Sequence, residues 1–504
     1  MIDEERDAFI VKRILVDKHL TLIGGALPGG FYLAPGYFYI SALFYHFTHL
    51  NPVGMGYVAV FFSIITIISL LIVTSILFNK KIGVISAIFY SFSYLNVIYN
   101  RTWWPLTLTP LVVIAVYYCL FQIIKYKNSL SKNNNSIWTV ILILPLIVGI
   151  QSDPSTISLF LLSIVVWFFY GNSIKNKYVF TAIILLLLSH IPLLLFDIRH
   201  DLFNLKALLK FFSGHTGSGL NFDLTSLMES LLLLPRSLAR FIWIFGNKDV
   251  AAQVAPSKIY TEAKFLAIPT WFLALSIVSF GVFFAKAAKE GKKNIGLVIV
   301  ATHILISILG IIAQNMLFGN WNYEWLVYVL FPAYSIITAY ILSYLYETKI
   351  LRPVVITAII VFACFSAKTI MSSSNSYNLQ DKIKVVDFIT HSVGDQPFSL
   401  DSIGQNFALG GYRYLFYLRG KEPVRSYMDY IYGDWLYPRS NLSLRHPAIS
   451  AVIVNREICL TDSCLDDQNN DAEYNKYLAH TLAKKNIGFI EVLIVDNSEN
   501  WLSW

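Results

Sequence analysis

Residues 54–78 read GMGYVAVFFSIITIISLLIVTSILF, without one acidic, basic or imidazole side chain. Wound as a helix, that run is about 37 Å long, more than the ~30 Å hydrocarbon core of a bilayer. It has no polar face, so its solvent is lipid rather than water. Asn79, Lys80 and Lys81 end it abruptly. Working outward, comparable runs occur near 83–99, 105–124, 137–151, 155–171, 178–195, 264–286, 295–317, 325–346 and 351–371, which predicts about ten spans. The whole chain agrees, with 56% hydrophobic and 14% charged residues and a mean hydropathy of +0.57. A net charge of +8 does not point to nucleic acid. The lysines sit in short loops instead of forming one basic stripe with interleaved stacking aromatics.

Those loops orient the chain, because lysine and arginine are retained on the cytoplasmic side. Alternate loops hold Lys80 and Lys81; Lys125, Lys127 and Lys132; Lys175 and Lys177; Lys286, Lys289, Lys292 and Lys293; and Lys349 with Arg352. The loops of opposite parity, 100–104, 151–154 and 320–324, carry a single cation, Arg101, and are expected outside. The long stretch 196–263 has the same outer parity. After Ser372 polar residues become frequent and short apolar runs such as Ala451 to Val454 and Phe489 to Val495 alternate with helix-like segments. The expected organisation is therefore an outer juxtamembrane region (1–53), an all-α transmembrane domain (54–371) containing the long outer loop 196–263, and a small outer α/β domain (372–504). Cys119 and Cys364 fall inside apolar spans as small hydrophobes, whereas Cys459 and Cys464 lie in the polar tail, where a local disulfide and two free thiols are both open.

Two N-terminal elements frame the question of function. Met1 to Gly24 reads as a charged amphipathic helix with Phe9, Ile10, Ile14 and Leu15 on one side. The run Gly30 to Leu50 is long enough to span, yet its density of Tyr, Phe and His suits an interface.

Four polar clusters stand at the ends of apolar runs. The first is Asp3, Glu4, Arg6 and Asp7; the bland alternative is an acidic helix start favoured by the helix dipole. The second is Asn100-Arg101-Thr102-Trp103-Trp104-Pro105, which would equally serve as an interfacial anchor. The third is Phe196-Asp197-Ile198-Arg199-His200-Asp201, otherwise a solvated helix end. The fourth is Gln151-Ser152-Asp153 before Pro154, for which a cap is the simpler reading. Inside the spans ionisable residues are rare; His303 is one exception, and a satisfied buried histidine accounts for it equally well.

In this order the clusters resemble the GT-C superfamily of membrane glycosyltransferases, in particular the branch containing protein O-mannosyltransferases and the lipid A aminoarabinose transferase. The acidic pair opening the family's first outer loop looks like Asp3-Glu4. Its Gly/Pro/Tyr-rich juxtamembrane helix resembles Gly29 to Tyr37, including Tyr32, and its loop arginine looks like Arg101. The string from Phe196 is similar to one of bacterial members, and the tail with Tyr412-Arg413-Tyr414-Leu415 resembles their variable outer domain. The resemblance implies a polyprenyl-phosphate sugar as donor and an acceptor hydroxyl on a protein, lipid or glycan. It implies Asp3 as base with Glu4 in support or as ligand to a divalent cation, Arg101 on the donor phosphate with Arg199 and His200 behind it, inversion at the anomeric carbon, and Arg6, Tyr32, Tyr37, Trp104 and Asp153 as pocket residues. It also implies that residues 30–50 lie along the outer surface, since otherwise Asp3 and Arg101 would face opposite sides. The family has a membrane helix before its acidic pair, so a misassigned start or a truncation is expected. Glu324-Trp325 before Phe331-Pro332 departs from the family's usual Arg or His with Tyr. Two other classes remain open: a polymerase or ligase for lipid-linked glycans, and a transporter or flippase, which would place charged or broken-helix sites near the membrane midplane.

Overall fold

The computed structural model describes residues 2–27, 29–125, 132–170, 176–216, 224–243, 268–291, 293–318, 324–372, 378–403, 410–429, 447–454, 468–488 and 490–498. Cys459, Cys464, residues 244–263 of the long loop and residues 320–323 lie outside this set.

The chain begins with α1 (Ile2–Leu15) and α2 (Gly36–Phe47). Helix α1 is shorter than the expected Met1 to Gly24, and Lys18 beyond its end has a left-handed φ of 56°. Between α1 and α2, residues 24–34 form a small hairpin instead of the expected juxtamembrane helix from Gly29, with Ala26 bridged to Tyr32. The reason is local: Gly30 N donates to Leu27 O at 3.1 Å to close the turn, and Gly29 and Gly30 have φ of 102° and 80°, values open to glycine without strain. Helix α2, 12 residues long, rises only about 18 Å and is too short to cross a bilayer.

The bundle follows as α3 (Pro52–Leu77), α4 (Lys80–Phe92), α5 (Tyr94–Asn100), α6 (Thr109–Lys125), α7 (Lys132–Ser152), α8 (Ile157–Tyr170), α9 (Asn176–Ser189), α10 (Ile191–Arg199), α11 (Phe203–Thr216), α12 (Leu224–Ile242), α13 (Thr270–Glu290), α14 (Ile295–Phe318), α15 (Phe331–Tyr346) and α16 (Arg352–Ser372). Among the described residues six helices are long and apolar enough to cross a membrane, or eight if the bent pairs α4–α5 (66°) and α9–α10 (49°) each count as one span. These support up to eight of the ten or so expected spans, and the other two expected segments fall on shorter apolar helices, Ser136–Ser152 and Pro154–Phe169. Each bend has a cause. Ser93 leaves helical geometry, its Oγ accepting from Asn96 N and donating to Phe241 O at 2.8 Å. At the second bend Pro192 enters the first turn of α10, where its missing N–H ends the preceding ladder.

In α3 the residues turned inward are Ala59, Thr66, Leu70 and Thr74, while Val60, Ile64, Ile68 and Ile72 face outward. The side that packs is thus the one with small and hydroxyl side chains, which let backbones approach. The α3–α4 contact uses this at Gly83, where a Cβ would lie 2.1 Å from Ser75 Oγ and 2.8 Å from Leu71 O. Gly83→Ala is expected to destabilise the bundle by about 1–3 kcal/mol, read as a lowered thermal midpoint in detergent; an unchanged midpoint would show that the two helices separate freely. Helix α6 is the central element, with Val112, Val113, Ile114, Val116, Tyr117 and Leu120 all buried. The stretch expected as an outer loop contributes to this core: Leu233, Leu234, Leu238 and Phe241 of α12 are buried among the spans. At one end of the bundle Lys81 pairs with Glu347, and Glu290, paired with Lys286, accepts from Tyr340 Oη at 3.4 Å.

The C-terminal part holds α17 (Leu379–Val393), β1 (Phe398–Ile403), α18 (Tyr412–Leu418), β2 (Arg425–Ser426), β3 (Ile449–Val454), α19 (Gln468–Ala479), β4 (Thr481–Ile487) and β5 (Ile490–Asp496). The sheet order is β2-β1-β3-β5-β4; β1 is parallel to β2 and β3, and β5 is antiparallel to both neighbours. Strands β3 and β5 are largely apolar runs because both faces are covered, whereas β1 also carries Ser399, Asp401 and Ser402. Val452, Val454, Leu493 and Val495 meet Tyr477 of α19. Leu400, Ala451, Ile453, Val492 and Ile494 share one cluster with α17, α18, Phe9 and Val11 of α1, Tyr37 and Tyr45 of α2, and Trp103. The sheet, the N-terminal helix and the α5–α6 connection therefore share a single hydrophobic core.

Candidate functional site

The four polar clusters, dispersed over two hundred residues of sequence, converge on the hairpin and α2. From the first cluster, Asp7 is buried and accepts from Arg6 Nε at 2.9 Å and Nη2 at 2.8 Å. Its charge acts on Tyr37 and Tyr45; burial, then Asp7, pushes the Tyr37 phenol well above its usual range. From the second cluster, Trp103 stacks on Tyr37 with centroids 6.3 Å apart and donates Nε1–H to Ser41 Oγ at 2.9 Å. From the third, Phe196 packs edge-on against Tyr32 with centroids 5.9 Å apart, and just beyond the cluster Asn204 binds the backbone of Tyr32 twice, accepting at Oδ1 from its N–H and donating Nδ2–H to its carbonyl at 3.2 Å. Asp197 holds that asparagine by accepting from Asn204 N at 2.6 Å and Leu205 N at 3.2 Å. From the fourth, Gln151 lies so close to Gly36 that a Cβ there would sit 2.0 Å from Oε1. This convergence lies away from the end of the bundle that holds Lys81 and Glu347.

Asp3 and Glu4 belong to the first turn of α1, Glu4 half-buried; the side chain of Asp3 lies outside the described set. Helical spacing puts position 3 on the face of position 7. Arg101 is exposed and donates Nη2–H to Ile370 O at 3.3 Å, at the end of α16. Trp104 is half-buried, stacks on Tyr99 and donates to its carbonyl. Arg199 and His200 are exposed at the end of α10; the His200 ring lies on Phe196 with Nδ1 2.8 Å from the Phe196 carbonyl. The Tyr32 ring packs edge-on against the same Phe196. Asp153, expected in the pocket, is instead a fully buried cap: its oxygens accept from Ser155 N at 2.9 Å, Ser155 Oγ at 2.6 Å and Thr109 Oγ1 at 3.1 Å. His303 is a satisfied buried histidine between Tyr117 Oη at 2.7 Å and Ser158 Oγ at 3.1 Å. Among the described residues no group of three or more His, Cys, Asp or Glu side chains gathers as a metal site would.

Several participants were not singled out from the sequence. Asn204 carries no motif and is recognisable only through its contact with Tyr32. The Tyr328 hydroxyl was likewise not singled out; it donates to Asn100 Oδ1, in the second cluster, at 3.0 Å, linking α5 to the 3₁₀ turn Glu324–Leu330 that precedes α15. Arg240, 5% exposed on α12, is a buried cation one residue from the carbonyl that Ser93 binds at the break between α4 and α5. Its signal was present as Arg236 and Arg240 within a leucine-rich stretch, which loop parity alone does not rank.

The fold is similar to those of the solved ArnT and AglB structures. ArnT from Cupriavidus metallidurans, in a structure bound to undecaprenyl phosphate, superposes with a TM-score of 0.53 at 10% sequence identity, covering 98% of this chain and 93% of that one. The archaeal oligosaccharyltransferase AglB from Archaeoglobus fulgidus, in complex with an inhibitory peptide and a dolichol-phosphate, superposes with a TM-score of 0.50 at 10% identity, covering 90% of this chain and 65% of AglB. No family model matches the chain, and no curated protein matches it by sequence.

Proposed function

We propose that the chain moves a sugar from a polyprenyl-phosphate donor to an acceptor hydroxyl at the outer face of the membrane, where the C-terminal domain also lies. The observation that carries this reading is the convergence of the acidic helix, the Arg101 loop and the Phe196 string on the segment from Gly24 to Phe47. Such a site at one end of a lipid-embedded bundle suits a donor whose chain is dissolved in the bilayer and whose phosphate stands at the interface; the likeness to proteins seen with undecaprenyl phosphate and dolichol-phosphate supports the same donor class. In the proposed step the Asp3 carboxylate takes the proton of the acceptor hydroxyl, the freed oxygen bonds to the anomeric carbon, and the bond from that carbon to phosphate oxygen breaks, leaving polyprenyl phosphate with the electron pair. A single displacement inverts the anomeric centre. Glu4 supports Asp3. Arg101, a planar fork that grips phosphate oxygens in two places, steadies the charge building on the leaving group, with Arg199 and His200 as outer cations. Tyr32 and Trp104, both half-buried, supply aromatic surface against which a sugar ring packs, and Tyr37, buried and stacked on Trp103, backs the pocket.

Membranes carrying the chain should transfer label from a radiolabelled polyprenyl-phosphate sugar to an acceptor fraction, and Arg101→Ala should lower that transfer by about 10²-fold, the loss typical of one removed charge stabiliser. Wild-type transfer by Arg101→Ala would remove its role; no transfer by the wild type from a panel of sugars would overturn the function. The likeness to an oligosaccharyltransferase favours block transfer as a second reading, and the size of the labelled product separates the two.

A further inference from the structure

Helix α1 is held by the far end of the chain. Glu5 is 2% exposed, and its two carboxylate oxygens accept from Gly411 N at 2.9 Å and Tyr414 N at 3.0 Å. These are the free N–H groups opening α18, which a neighbouring side chain would ordinarily cap. Here the cap comes from the opposite terminus. Lys382 of α17, also buried, donates to the carbonyl of Gly410, and its charge acts on both Glu4 and Glu5. Phe9 stands edge-on to Tyr414 at 5.2 Å, and the Lys12 ammonium lies over the Tyr417 ring at 5.3 Å. The same α18 reaches a second element of the site: Tyr414 Oη donates to Leu50 O at 2.9 Å. Leu50 sits in the turn between α2 and α3, where His49 and Leu50 have φ of 52° and 61°, a left-handed conformation that a leucine rarely adopts without surrounding support.

We infer that the C-terminal domain positions the acid-bearing helix, with Glu5 as the positioning residue and Tyr414 as its counterpart on α18; the inference rests on α1 carrying the base of the proposed transfer. Residues advance about 100° round an α-helix, so position 3 falls about 200° from position 5. The domain thus grips α1 on one side and leaves the face shared by positions 3 and 7 toward α2. Releasing Glu5 frees α1 to turn or slide, which displaces the base without touching the cations assigned to the donor phosphate. The expected signature is a loss in turnover with donor binding retained.

The test uses the full chain in proteoliposomes, with transfer kinetics from a polyprenyl-phosphate sugar and hydrogen exchange read in parallel. Glu5→Gln keeps one acceptor oxygen and turns an amide nitrogen toward the second N–H; it should lower kcat about tenfold with KM for the donor unchanged, and Glu5→Ala should lower it further. Both should speed exchange of amides in residues 2–15 while α6 and α15 stay protected. Tyr414→Phe, which removes only the bond to Leu50, should lower kcat a few-fold and serves as the second variant if Glu5→Ala does not accumulate. Wild-type kcat in Glu5→Gln, or a raised KM with unchanged kcat, overturns the positioning role. An inactive wild type whose Glu5→Ala variant shows faster exchange in residues 2–15 rejects the transfer reading and keeps the clamp. Unchanged exchange rejects the clamp whatever the activity.

Discussion

Asp3→Asn should lower kcat for sugar transfer by about 10² to 10⁴, the range a well-placed general base supplies, with the donor KM little changed. The substitution keeps size and hydrogen-bonding capacity and removes only the ability to take a proton. Asp7→Asn is the informative companion, because the two residues share a face one turn apart. Asp7 is already paired with Arg6 at 2.8 Å and buried beside Tyr37 and Tyr45. A carboxylate so engaged holds the helix against α2 and is poorly placed to meet an acceptor. Asp7→Asn is therefore expected to act through local order, with a smaller loss of rate and faster exchange in α1. The reverse pattern, full turnover in Asp3→Asn and its collapse in Asp7→Asn, would move the base one turn along the helix.

The second large effect concerns stability against pH. Asp401 in β1 is 8% exposed and is approached by Tyr477 Oη, Ser402 N, Glu473 and Arg425. Burial, the largest cause, raises its carboxyl from 3.8 to about 6, despite the lowering by Tyr477 and Ser402. The folded state then binds this proton more tightly than the unfolded chain does. Stability from the site is greatest near pH 4 and below, and it declines as pH rises through about 6, by up to about 3 kcal/mol. Asp401→Asn carries no such charge, so it should stabilise the sheet at pH 8 and matter little at pH 4, read as amide protection in β1 and β3 of the full chain. An equal difference at both pH values would refute the assignment.

The clearest limit of sequence reading lies in the first three hundred residues. Hydropathy located the spans because lipid imposes one requirement, apolar side chains on a hydrogen-bonded helix, that shows in composition. Among the described residues, helix length and composition support six to eight full crossings of the ten expected, since a bent pair such as α4–α5 and a short apolar helix such as α8 satisfy the same window. Hydropathy also could not show that residues 30–50 divide into a glycine-turned hairpin and a short α2, although Gly29 and Gly30 carried that signal. Among the polar clusters, types of residue were legible and partners were not. Asp153 and His303 turned inward as a cap and a satisfied histidine. Asp197, Asn204 and Glu5 took structural tasks that depend on contacts across 172 and 406 residues for Asn204 and Glu5.

By itself the sequence determined that this protein lives in a membrane, that its lysines sit in short loops between apolar runs, and that its polar clusters stand at the ends of those runs. Those properties come from transfer of side chains between water and lipid, which each residue meets largely alone. Only the tertiary structure decided that the clusters meet on one hairpin and one short helix, and that the last domain grips the first helix through Glu5. Such pairings arise from packing and from satisfying buried N–H groups, and they depend on where the chain returns to itself.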